Sequence, residues 1–161
     1  MANYAVNNQL GGTQQNLSSA YKTLVEIHAV TATLKRAMLF EFEIGIDGTP
    51  NGTDCSLNWD ISRTTAAGTA GATPPPLPLD PADAASGIAC GINHPTVEPT
   101  YTVASSLWAL GANQRASYRW ISRDDKSALW IPATNLAGLG LRVKSATYNS
   151  TAIAQLYYQD Q

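Results

Sequence analysis

The side chains in this sequence that could do chemistry are few. Only His28 and His94 offer an imidazole base, and nucleophilic catalysis by Ser, Cys or Thr needs such a base oriented beside the nucleophile. Neither sits in a recognisable motif. His28 falls on the polar face of a strand pattern and His94 in a turn before Pro95, so both are expected to be structural. The chain contains no GxSxG elbow, no GxxxxGK[ST] loop and no GxGxxG fingerprint. GLGLR at 138–142 reads as the entry to a strand.

Carboxylates come closer to a pattern. Glu41 and Glu43 share one face of a strand, about 7 Å apart, a spacing that glycosidase acid–base pairs also use. An i, i+2 acidic pair on a strand is more often a solvated outer face, and that is the expectation here. Asp124 and Asp125, flanked by Arg123 and Lys126 in SRDDKS, read as a turn in the same way. Asp47, Asn51 and Asp54 are spaced partly like a calcium loop, but Thr49 and Asn58 replace oxygen ligands that the loop requires. A hairpin turn is expected there instead. Cys55 and Cys90 are too few for a disulfide framework or a thiolate metal site. Reduced thiols are expected, with a bond between two strands left open. No cofactor and no metal is expected.

The four tryptophans, 59, 108, 120 and 130, with Tyr101, Tyr118, Tyr148, Tyr157 and Tyr158, could stack on sugar faces or simply pack. Trp59 lies on a clean apolar face and is expected in the core. Trp120 and Tyr118, alternating with Arg119, form the candidate glycan platform.

These groups must be carried by strands. Val25, Ile27 and Ala29 alternate with Glu26 and His28; Met38, Phe40, Phe42, Ile44 and Ile46 alternate with Leu39, Glu41, Glu43, Gly45 and Asp47. Cys55, Leu57, Trp59 and Ile61 follow after DGTPNGTD, whose Asn51-Gly52 predicts a β-hairpin across 38–62. Further strands are expected at 88–93, 101–110, 116–122, 127–131, 139–144 and 151–158. Eight or nine short strands and no long helix predict an all-β fold, a single β-sandwich of jelly-roll or Greek-key type.

Residues 1–20, rich in Asn, Gln, Gly and Ser, are expected to form a flexible arm before a domain at 21–161. The run TTAAGTAGATPPPLPLDPADAASG is expected to be a long loop without ladder hydrogen bonds, with one helical turn begun by Asp80-Pro81 and running through Ala85. Extended proline segments lose little entropy on docking, so Pro74, Pro75, Pro76, Leu77, Pro78 and Leu79 are the candidate inter-subunit contact.

Composition narrows the partners. Charged residues make up only 14% of the chain and the net charge is −2, which suits a surface that lies against other protein and gives no basic stripe for nucleic acid. No apolar run is long enough to span a bilayer, so no membrane partner is expected. MANYAVNNQLGG has neither a basic nor an apolar leader region, and synthesis in a cytosol is expected.

The segments IDGTPNGTDCSLNWDISRTTAAGTA, LDPADAA and NQRASYRWISRDDKSALWIPATNLAGLGLRVKSATYNSTA resemble small virion proteins of tailed bacteriophages, cyanophages among them. The likeness covers roughly residues 20 to 158 and rests on the order of strands and turns. It implies a non-enzymatic capsid cement or decoration protein, made in the bacterial cytoplasm and bound to the capsid surface of the virion. It also implies the phage major capsid protein as partner and assembly as a homotrimer. The alternative is a host-recognition module of a head fibre or tail that binds glycan through Trp120 and Tyr118.

Overall fold

Period-two alternation is written most plainly near the carboxy terminus, where AIAQLYYQD places Ala152, Ala154, Leu156 and Tyr158 inward and leaves the intervening residues half-buried. The computed structural model describes all 161 residues and contains eleven strands and no helix. In chain order these are β1 (Asn3–Asn7), β2 (Lys22–Ala29), β3 (Ala37–Ile46), β4 (Ser56–Ala66), β5 (Leu77–Pro78) and β6 (Ile88–Ile92). They continue with β7 (Thr100–Asn113), β8 (Tyr118–Ile121), β9 (Leu129–Ile131), β10 (Gly138–Lys144) and β11 (Ala152–Asp160).

They form two antiparallel sheets. One runs β5-β1-β11-β3-β8, with β9 beside β3; the other runs β6-β2-β10-β4-β7. We call them sheet A and sheet B. The chain changes sheet at every step except from β6 to β7 and from β8 to β9, so its connections cross the ends of a β-sandwich. The core between the sheets holds Tyr4, Val6, Leu39, Phe42, Leu156 and Tyr158 from sheet A against Leu24, Ile27, Trp59, Ile61, Leu139 and Val143 from sheet B.

The expected hairpin across 38–62 does not form: β3 belongs to sheet A and β4 to sheet B. Asn51-Gly52 lies in a loop pinned by other contacts. Asn51 N–H donates to Gln114 Oε1 at 3.0 Å, Gln114 Nε2 donates to Asn51 O at 3.1 Å, and Asn51 Nδ2 donates to Thr147 O at 2.9 Å. The loop therefore bridges the two sheets. Phe42 and Trp59 still enter one interior, from opposite walls.

Residues 1–20, expected as an arm, contribute an interior strand. β1 lies between β5 and β11, with Tyr4 and Val6 buried. Its polar flank is consumed by structure. Asn8 Nδ2 donates to Ala152 O at 2.9 Å and to Asn93 Oδ1 at 3.2 Å, and its Oδ1 accepts from Ala154 N–H at 2.9 Å. Only two apolar residues face the core here, too few for a periodicity signal.

The proline-rich segment is also more ordered than expected, because Leu77 and Pro78 pair with Ala5 and Tyr4, and Leu79 N–H donates to Asn3 O at 2.8 Å. Past it the chain makes a tight turn instead of a helical turn. Asp80 Oδ1 accepts from Ala82 N–H and Asp80 O from Asp83 N–H, and no helix follows through Ala85.

Candidate functional site

The side chains that could do chemistry are spread over several places. The most unexpected is the outer face of sheet B, which is itself buried. Glu26 and His28 project from β2 onto this face, and Glu26 is fully inaccessible. They are roofed by the segment from Asn93 to Tyr101. Asn93 takes a left-handed φ of 51°, which asparagine tolerates, and His94 follows, also buried. His94 Nε2 lies 3.5 Å from Glu26 Oε2, and His28 Nδ1 lies 3.7 Å from the same oxygen. Both carboxylate oxygens of Glu26 and both ring nitrogens of His94 lack a hydrogen-bond partner.

Burial holds the His28 imidazole below its ordinary pKa; the Glu26 carboxylate opposes that shift and His94 adds to it. Glu26 and His94 are sealed from solvent, and His28 lines a neighbouring cleft.

The roof has further ties. Glu98 Oε2 accepts from Thr23 N–H at 2.9 Å, and Tyr101 Oη meets Thr23 Oγ1 at 2.6 Å. Burial raises the Tyr101 pKa, which the hydrogen bond to Thr23 and the Arg142 charge oppose. The Tyr101 ring lies so close to β10 that a Cβ at Gly140 would meet its hydroxyl oxygen. Gly140 is therefore the mark of a chain crossing the sheet, a reading that a glycine inside a strand can carry, whereas a Cβ at Gly138 would meet β2 itself at Ile27 O and His28. That is the signal through which the cluster was findable in the sequence.

Beside it, Asp60 Oδ2 accepts from Arg142 Nε at 2.7 Å and from Ser62 Oγ at 2.6 Å, while its Oδ1 accepts from Ser106 Oγ at 2.5 Å. The Arg142 guanidinium lies 4.0 Å over the Tyr101 ring and 4.4 Å over Tyr21. This ion pair is fully partnered, the condition under which a sheltered charge pair is tolerated.

On the outer face of sheet A, Arg119 claims the paired carboxylates. It reaches Glu41 Oε1 at 2.5 Å and Glu43 Oε1 at 3.3 Å, so the two acids act as counterions to one guanidinium. The acidic turn is divided as well. Asp47 accepts from Gln9 and Gln14, and Asp54 accepts from Arg115 Nε at 2.9 Å. No group of three or more His, Cys, Asp or Glu is arranged to hold a metal ion. Both cysteines are free thiols, and burial, with the Glu26 charge, pushes Cys90 up to about 12.

The aromatics gather where β7 and β8 end the two sheets. Phe42 packs edge-on to Trp108 at 4.8 Å and stacks with Trp120 at 5.2 Å; Tyr118 lies 5.7 Å from Trp108. Trp120 therefore gives one ring face to the core, and Tyr118 is exposed beside it. An open groove of about 280 Å³ runs between Leu107, Trp108, Trp120, Ile121 and Leu129.

On the opposite side of the sandwich, Pro74, Pro75 and Pro76 overhang a cleft of about 450 Å³ that His28 and Val30 also line. Pro76 is buried and anchors the strap, while Leu77 and Leu79 are 54% and 53% exposed. No helix is long and apolar enough to cross a membrane. No protein-family model, no curated protein and no solved structure matches this chain.

Proposed function

We propose that this protein is a non-enzymatic cement subunit that decorates the outer surface of a tailed-phage head by binding the major capsid protein. The observation that carries the reading is the strap at 74–79. Two leucines stand half out in solvent on a segment whose backbone is already paired to β1 and whose prolines fix its course. Apolar side chains on a pre-ordered backbone dock without paying for loop ordering. A subunit that binds only the assembled shell raises the free energy of opening that shell by its binding energy, and many copies make a modest contact sufficient.

Co-sedimentation of purified protein with heads that lack it tests the contact. The Leu77→Asp/Leu79→Asp variant should leave circular dichroism unchanged and lose sedimentation with heads. Undiminished binding by that variant contradicts the strap as the attachment site.

A second reading, recognition of a surface glycan, is favoured by a separate cleft of about 440 Å³ lined by Tyr118, Glu43, Arg115, Arg119 and Gln155. One aromatic ring among planar polar groups is a composition that suits sugars. Loss of adsorption to cells in a Tyr118→Ala variant, with head strength unchanged, would support it.

A further inference from the structure

The geometry points to a two-fold pairing between copies of this chain, made by β7 running antiparallel to β7 of a second copy. β7 ends sheet B and no strand pairs with its outer edge. Its unpaired N–H and C=O groups are a template for another strand. Proteins that keep such an edge free place lysine, proline or an inward charge on it. TYTVASSLWALGAN has no charged residue and no proline over 14 residues. Its first part is bent by a left-handed Ala104, φ 56°, and by register shifts against β4, whereas residues 108–113 pair with β4 in unbroken register. The regular end is the part able to accept a partner.

A second copy fits this edge for three reasons. A strand meeting itself about a two-fold axis sets its residues against its own set, so a single charge would face its own sign nearby. β7 has none. Centring the axis at Leu110 sets Trp108 opposite Ala112 and Ala109 opposite Gly111, so the large ring has a small neighbour across the seam. Finally, the ladder is flanked by apolar surface, because the regular end of β7 lies beside β8 and the groove that Ile121 and Leu129 line. Val103, 93% exposed, and Leu107 lie on the same strand and add apolar surface.

This inference concerns the protein alone and does not depend on the capsid reading. It differs from the homotrimer that the phage resemblance implies, because edge pairing about a two-fold closes at two copies.

Sedimentation velocity of the purified chain, with Leu110→Cys and Ala109→Lys/Gly111→Lys as variants, tests it. The parent should sediment at twice the chain mass. Leu110→Cys should form a reducible dimer on mild oxidation, because antiparallel partners place their Cα atoms about 4.5 or 5.5 Å apart, within disulfide reach. The parent, with only Cys55 and Cys90, should not cross-link. The double lysine variant sets Lys opposite Lys across the seam and should sediment as a monomer with unchanged circular dichroism; a Cβ at Gly111 has ordinary room. A parent that is monomeric at every concentration overturns the pairing. So does a trimer, or an oligomer that survives the lysines. Should Leu110→Cys fail to fold, the lysine variant decides alone.

Discussion

The two sides of this sandwich are finished differently. On one side the sheets end in β5 and β6, and both edges are blocked. β5 is two residues long and ends in Pro78, and β6 is clipped where Gly71 N–H and Ala72 N–H donate to Ile92 O and Ile92 N–H donates to Ala72 O. The turn beyond is tied down too. Tyr4 Oη donates to Ala84 O at 2.8 Å, Ser86 Oγ meets Tyr158 Oη at 2.8 Å, and Gly87 N–H donates to Asp160 Oδ2 at 2.9 Å. On the other side β7 and β8 stand open, with indole rings between them. The contrast separates two tasks. Proline and short strands stop a sheet from growing while still presenting side chains such as Leu77 and Leu79. The bare edge invites another strand.

The largest expected effects come from what joins the two sides. Phe42 supports the indoles of the open side, and Trp59 faces the same core. Truncating either to Ala should cost about 3–5 kcal/mol in denaturant melts. Deleting residues 1–8 should be as severe, since it removes an interior strand from the closed side; a truncated chain with unchanged melting would show that β1 is dispensable. Asn8→Ala should cost about 1–3 kcal/mol, because it strands the buried Ala154 N–H and the Asn93 side chain.

A pH series probes the roof over sheet B. The folded pKa of His28 lies below its ordinary 6.5, so between the two values the unfolded chain binds more protons. The stability this group contributes is complete above about pH 6.5 and is lost as pH falls through the folded value. The melting temperature should therefore drop from about pH 7.5 to about pH 5, and His28→Gln should flatten the drop. An equal drop in the variant would place the acid sensitivity elsewhere.

The smallest effects belong to the outer faces of the sheets. Glu41→Ala breaks an ion pair with an exposed arginine and should cost well under 1 kcal/mol. Asn58→Ala, exposed on β4, should cost no more. Comparable losses here and at Phe42 would mean that the faces of β3 and β4 are misassigned.

Much of this division was legible in the sequence, and its failures share a cause. Strands with four or more alternating apolar residues, such as β3, β4 and β11, lie where their pattern puts them, give or take a few residues, but the facing of β3 flips at a bulge opposite Tyr157 and Tyr158, so that Leu39 enters the core in place of Phe40. β1 escaped because Tyr4 and Val6 are too few to outweigh the surrounding Asn, Gln and Gly. Asn51-Gly52 misled because turn chemistry is local, whereas strand partners are chosen by the packing of both sheets. Glu26 and His28 misled because alternation assumes that a polar face meets water; here a second layer of chain covers it. Gly140 recorded that layer, since a Cβ there would meet Tyr101. The aromatics at 108, 118 and 120 gave no facing, because an edge is half core and half surface.

The central proposal is that attachment through the closed side strengthens a shell. The direct test is the rupture temperature of phage heads prepared without the protein, then supplied with the parent or with Leu77→Asp/Leu79→Asp. The account predicts that bare heads form but break at a lower temperature, that the parent restores their resistance, and that the double variant does not. Bare heads as robust as decorated ones would contradict it.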